Sequence, residues 1–236
     1  MNKDVIIACD FNSRADLMAF LDHFKEERPF LKIGMELFYA EGPAIVQEIK
    51  ARGHKIFLDL KLHDIPNTVK KAMSVLSSLD VDLCNVHVAG TIPMMERALE
   101  GFTKKDGSRG LLIAVTQLTS TSEERMQADL LISKSLEETV LHYAQNTKIA
   151  GLDGIVCSPW EAKKVKEACG SQFLTITPGI RFDDGDAGDQ VRIATPAKAK
   201  ELGSDYIVVG RPITQAADPV AAYRRCLSEF LGGTAK

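Results

Sequence analysis

The chain has 236 residues, of which 45% are hydrophobic, and its formal net charge is −3. That length supports one sizeable apolar core and is short for two comfortable domains. The mild acidity excludes the basic footprint that nucleic acid or an anionic membrane requires, and the apolar run behind Met1–Asp4 ends at Asp10, too soon for a signal peptide or a membrane span, so a soluble cytoplasmic protein is expected.

In chain order, short β-branched runs alternate with longer amphipathic stretches. The expected strands are VIIACD (5–10), FLKIGM (30–35), KIFLDLK (55–61), LCNVHV (83–88), LLIAVTQ (111–117), GIVCS (154–158), FLTITP (173–178) and YIVVG (206–210). Helical patterns lie between them at 14–24, 44–53, 69–79, 135–146 and 197–203. Near-continuous apolar strands suit parallel strands buried on both faces. Eight strand–helix alternations in this length predict a single (β/α)₈ TIM barrel spanning 1–236, with an open doubly wound sheet as the alternative. The long stretch 119–150 shows no clear strand, and the Asp/Gly-rich segment 182–190 (FDDGDAGDQ) reads as a surface loop and candidate lid.

The five cysteines, Cys9, Cys84, Cys157, Cys169 and Cys226, are odd in number and form no CxxC pair. They read as small buried hydrophobes in a reducing compartment. No cluster of Cys and His suits zinc, and no metal is expected.

In a barrel the C-terminal strand ends build the active site. Strand one ends in Asp10, strand two carries Lys32, and strand three ends in Asp59, Leu60 and Lys61, with Asp64 one short turn later. Residues at i and i+2 of a strand share a face, so Asp59 and Lys61 are expected to point together while Leu60 points away. Each charge has an ordinary structural role open to it: a strand lysine reaches for water, an aspartate caps a helix, and Asp64 before Pro66 suits a helix N-terminus. Together they argue otherwise, because burying several charges is costly unless they pair. Strand seven runs into TPGIR (177–181) and strand eight into Gly210-Arg211-Pro212. The loops after these strands commonly bind phosphate; Gly210 admits close backbone approach and Arg211 offers forked donors.

The segment DLKLHDIPNT (59–68) resembles the Asp-x-Lys-x-x-Asp signature of the orotidine 5'-monophosphate decarboxylase family, with its His-Asp-Ile-Pro-Asn-Thr continuation. FLKIGMELFY (30–39), NVHVAG (85–90), AVTQLTS (114–120), TPGIR (177–181), DQVRIATPAKA (189–199) and VVGRPI (208–213) resemble the same family in the same order, over nearly the whole chain. The resemblance implies cofactor-independent decarboxylation of orotidine 5'-monophosphate. Lys61 then stands as proton donor to C6, Asp59 beside the leaving carboxylate, Lys32 as the lysine ordering the array and bonding the ribose, and Asp10 on the ribose hydroxyls. It implies Thr119 and Ser120 at the base, and Pro178, Arg181, Gln190, Gly210 and Arg211 around the rest of the nucleotide, chiefly its phosphate. It further implies a homodimer in which Asp64 and Thr68 enter the neighbouring subunit's site.

Two other readings compete. A metal-dependent sugar-phosphate decarboxylase or aldolase on the same barrel would stabilise an enediolate with a divalent ion, and a non-catalytic nucleotide-binding barrel would need no complete Asp59-Lys61-Asp64 set. His63 reads as structural, His87 as a support for the charge array, His142 as surface or core, and Trp160 as a helix-packing residue.

Overall fold

The computed structural model describes residues 3–183 and 193–232. Eight parallel strands close a barrel in sequence order: β1 (Asp4–Ala8), β2 (Phe30–Gly34), β3 (Ile56–Leu62), β4 (Leu83–His87), β5 (Leu111–Val115), β6 (Gly154–Val156), β7 (Leu174–Thr177) and β8 (Tyr206–Val209). Pairing of Asp4 through Ile7 with Tyr206 through Val209 joins the first strand to the last and rules out the open sheet. All eight expected strands are present, most of them a residue or two shorter at their ends. Strand β6 stops at Val156 because Ser158 caps the helix Pro159–Cys169, where it forms a reciprocal capping box with Glu161. The stretch 119–150 holds two helices, Glu123–Leu130 and Leu136–Ile149, the second opened by a Ser135/Glu138 capping box.

Alternation along the strands sorts the core into two populations. Val5, Ile7, Leu31, Ile33, Ile56, Leu58, Cys84, Val86, Leu112, Ala114, Ile207 and Val209 face outward and pack in one cluster with the helices. Ile6, Ala8, Phe30, Phe57, Leu83, Ile113, Leu174, Ile176 and Val208 form a separate cluster inside the barrel. Counting two residues onward from these interior positions gives Asp10, Lys32, Asp59, Asn85, Val115, Pro178 and Gly210. The interior is thus filled with hydrocarbon up to one level, above which the same strands present charged, polar and small residues.

Charge also serves structure at the opposite end. Asp82, Asp153 and Asp205 accept the backbone N–H of Ile56, Leu112 and Thr175, and pair with Lys50, Arg109 and Lys166. Each closes the start of a strand with a charge-assisted bond. All five cysteines are buried, the small-hydrophobe role expected of them. Among the described residues no helix is long and apolar enough to cross a membrane.

Candidate active site

Three strand ends bring their charges together. The Lys61 ammonium lies 2.7 Å from Asp59 Oδ1, and the Lys32 ammonium lies 3.4 Å from Asp59 Oδ2 and 2.9 Å from Asp10 Oδ1. The chain of contacts Asp10–Lys32–Asp59–Lys61 alternates in sign along its whole length. Its centre is dry and its ends are wetter: the side chains of Lys32 and Asp59 are 11% and 9% exposed, against 25% for Lys61 and 63% for Asp10.

The electrostatic balance follows from this packing. Burial pushes Asp59 toward protonation, but Lys32, Lys61 and a hydrogen bond from Asn85 outweigh it and hold the carboxyl below the usual aspartate value. Burial likewise opposes the charge on Lys32, and Asp59 and Asp10 overcome that, raising its pKa above the ordinary lysine value. Each buried charge is therefore ionised because of its neighbours. Gly34 keeps space open over the pair, since a Cβ there would lie 3.2 Å from Lys32 Nζ and 3.4 Å from Asp10 Oδ1.

Lys61 reaches Asp59 by a route that simple strand alternation does not describe. Its backbone sits at φ +52°, in the left-handed region that L-residues seldom occupy. The β3–β4 register runs from Leu58↔Cys84 to Leu62↔Val86, so Asp59, Leu60 and Lys61 stand opposite Asn85 alone. This bulge re-aims the strand end, as bulges beside functional sites commonly do. Asn85, fully buried, donates from Nδ2 to Asp59 Oδ1 at 2.7 Å and accepts the Lys61 backbone N–H at Oδ1 at 2.8 Å. Asn85 is not legible in the sequence, because one asparagine in the run LCNVHV carries no mark of its partners.

The array opens onto a cavity of about 230 Å³ lined by Lys32, Asp59, Lys61, Gln117, Thr119, Ser120 and Pro178 among others, with Phe57, Val115, Val156 and Val208 as its apolar floor. Thr119, Ser120 and Pro178 thus join the charges, and Gln117, buried in the same wall, is a further polar group there. Gly210 caps the short helix Arg211–Thr214 after β8. Arg181 follows Gly179, whose φ is +81°, after β7, and an Ile180↔Ala194 bridge ties this loop. These residues sit at the same barrel end but outside that cavity's lining. Gln190, and most of the expected lid 182–190, lie outside the described residues.

Asp64 and Thr68 occupy a different place. Both are exposed, and Asp64 accepts the N–H of Ile65 at 2.6 Å. With Lys61, His63, Met35 and Tyr39 they line a second cavity, which shares Lys61 with the first. His87 ends β4 with its ring 5.9 Å from that of His63, and burial, then His63 and Lys61, lower its pKa. His142 is a surface residue on its helix, bonded to Asn146 at 3.2 Å. Trp160 departs from expectation: it is 51% exposed, its indole N–H donates to Ile193 O at 3.1 Å, and Lys198 lies over its ring.

A closed parallel barrel that gathers interlocked ammonium and carboxylate groups at three successive strand ends has the architecture of a (β/α)₈-barrel enzyme. The chain belongs to the orotidine 5'-phosphate decarboxylase / HUMPS family, whose model matches residues 3–226. It is similar to the orotidine 5'-phosphate decarboxylases of Bacillus cereus and Bacillus cytotoxicus, each 56% identical over 99% of this chain and 100% of the relative. The crystal structure of the Lactobacillus acidophilus orotidine 5'-phosphate decarboxylase is 40% identical, with a TM-score of 0.85 over 97% of this chain and 99% of that one. An uncharacterized conserved protein of Geobacillus kaustophilus matches at 50% identity and a TM-score of 0.86 over 96% and 99% of the two chains.

Proposed function

We propose that this chain, acting in the cytoplasm as one catalytic domain, converts orotidine 5'-monophosphate to UMP and carbon dioxide, the last step of UMP biosynthesis. The observation that carries the reading is the alternating array Asp10–Lys32–Asp59–Lys61 at the mouth of the barrel. The full-length likeness to named orotidine 5'-phosphate decarboxylases supports the substrate.

Loss of carbon dioxide from C6 leaves a carbanion in the ring plane, where no adjacent carbonyl can delocalise it. The protein must then supply a fixed positive charge in a site that has excluded water. Lys61 provides it and delivers the proton to C6. Asp59 holds Lys61 on its line of approach, and Lys32, itself braced by Asp10, keeps Asp59 ionised. Asp10 and Lys32 take the ribose hydroxyls, Thr119 and Ser120 the base, and Pro178, Arg181, Gln190, Gly210 and Arg211 the remainder of the nucleotide with its phosphate. Grip on the distant phosphate lowers the barrier by drawing the loops over the site.

Robust UMP formation by the purified protein in excess EDTA is the expected result. Turnover lost to the chelator would favour a divalent-metal mechanism, and a folded protein without turnover would sink the reading. Arg211→Ala is expected to lower kcat/KM on the order of 10²-fold, the effect of losing a charge-assisted contact of about 3 kcal/mol. An unchanged kcat/KM would remove Arg211 from the phosphate site.

The exposure of Asp64 and Thr68, which line a cavity other than the one holding the charge array, supports a homodimer in which each subunit lends these residues to the other's site. Subunits carrying Asp64→Ala and subunits carrying Lys61→Ala, each inactive alone, are expected to regain activity when mixed under exchange conditions. The mixed dimer then carries one site with both native residues. No recovery despite demonstrated exchange would contradict the shared site.

A further inference from the structure

We infer that Asn85 is a positioning residue for the decarboxylation: its side-chain amide locks the Lys61 backbone to the Asp59 carboxylate and so sets the direction in which the Lys61 ammonium points. The inference rests on the function proposed above.

The bulge supplies the reason. Three residues of β3 face one residue of β4, so the ladder has no backbone partner to offer the Lys61 N–H. The Asn85 side chain takes the place of that partner, with Oδ1 2.8 Å from the Lys61 nitrogen. Its Nδ2 simultaneously donates to the oxygen of Asp59 that also receives the Lys61 ammonium. Backbone, carboxylate and ammonium of the proton donor thus close a ring through one amide.

The amide's orientation is fixed by its partners, since the flipped form would set its carbonyl against the carboxylate and its NH₂ against an N–H. Only a side chain with one donor beside one acceptor satisfies both. At zero exposure, bulk solvent does not reach the amide to substitute for it. A lysine backbone in the left-handed region is strained and persists only where its surroundings over-determine it. Asn85 is the side chain placed to do this. It also helps to keep Asp59 ionised, alongside Lys32 and Lys61.

The test uses the full-length protein and two variants, with wild type in parallel. Asn85→Leu keeps the volume and removes both bonds. Its kcat is expected to fall on the order of 10²-fold, the loss that a misplacement of about 1 Å produces. Its affinity for UMP should stay within about threefold of wild type, because binding and chemistry are separable where an interaction acts in the transition state. Asn85→Asp keeps the shape and the acceptor but donates to Asp59 only when its carboxyl is protonated. Its activity is therefore expected to be greatest at low pH and to fall as pH rises, opposite to the acid limb of wild type.

A merely structural role would lower UMP binding and kcat together and leave the pH profile unaltered in shape. That pattern overturns the inference, as does a kcat for Asn85→Leu within about threefold of wild type. If Asn85→Leu fails to fold, the Asn85→Asp profile decides: a curve parallel to wild type overturns the inference. Absence of turnover in wild type ends the decarboxylase reading and this inference with it, whereas wild-type turnover with indifferent variants ends the inference alone.

Discussion

Lys61→Ala is expected to lower kcat by at least about 10⁵-fold while the barrel stays folded. Two losses combine. An ammonium about 4 Å from a developing carbanion contributes about 4 kcal/mol at an effective dielectric of about 20, and more where water is excluded. The proton donor contributes a further factor of roughly 10²–10⁴. Folding should survive because Asp59 keeps Lys32 and Asn85, and because Lys61 is itself a quarter exposed. The left-handed backbone adds a second expectation: Lys61→Gly should be more stable than Lys61→Ala by about 1 kcal/mol, since glycine accepts positive φ without strain. Turnover and urea unfolding of the two variants check both statements. Substantial activity in either folded variant would remove Lys61 from the chemistry, and equal stabilities would mean that the backbone relaxes once the lysine is gone.

The second large effect falls on stability as well as on rate. Asp59→Leu is expected to lower the unfolding free energy by about 3–5 kcal/mol, the loss typical of breaking a buried pair, and to reduce kcat at least about 10³-fold. Without Asp59 the Lys32 and Lys61 ammonium groups face each other, and Lys32 retains only Asp10, which is largely in water. The pH dependence has a definite sign at each end. Asp59 is lowered below 3.8, so its contribution is present above that value and is lost as pH falls through the lower folded value. Lys32 is raised above 10.5, so its contribution is present below that value and is lost as pH rises through the higher folded one. The destabilisation should therefore be greatest across the middle of the pH scale and shrink toward both extremes. A variant as stable as wild type at neutral pH would mean that the array is solvated rather than interlocked.

Much of this site could be read from the sequence because a barrel strand converts spacing into direction. Lys32 and Asp59 stand two residues beyond the interior phenylalanines Phe30 and Phe57, and Asp10 two beyond Ala8, so one alternation gives both the hydrocarbon core and the charged level above it. The eight strands were legible for the same reason, as apolar runs alternating with helical stretches, and the pairing of β1 with β8 closes them into the barrel. Lys61 was legible as a residue but not as a geometry: its meeting with Asp59 depends on a bulge and a positive φ, which a lysine in sequence does not announce. Asn85 was hidden because its significance lies in the β3–β4 register, a relation between segments 26 residues apart along the chain. The role of Trp160 was not legible, because a lone tryptophan after a strand looks like packing, whereas its indole N–H fastens a backbone carbonyl.

That last bond makes the protein its own optical reporter. Trp160 is the only tryptophan in the sequence, so emission excited at the red edge of protein absorption comes from one chromophore. Its N–H is tied to Ile193, which directly follows the segment carrying Gln190, and its ring lies beneath the Lys198 ammonium. Indole emission responds to both hydrogen bonding and nearby charge. Backbone rearrangement at Ile193 on nucleotide binding would therefore register in the spectrum of the unlabelled protein. Stopped-flow mixing with UMP could then time that rearrangement separately from turnover, with no dye attached and no residue of the charge array disturbed.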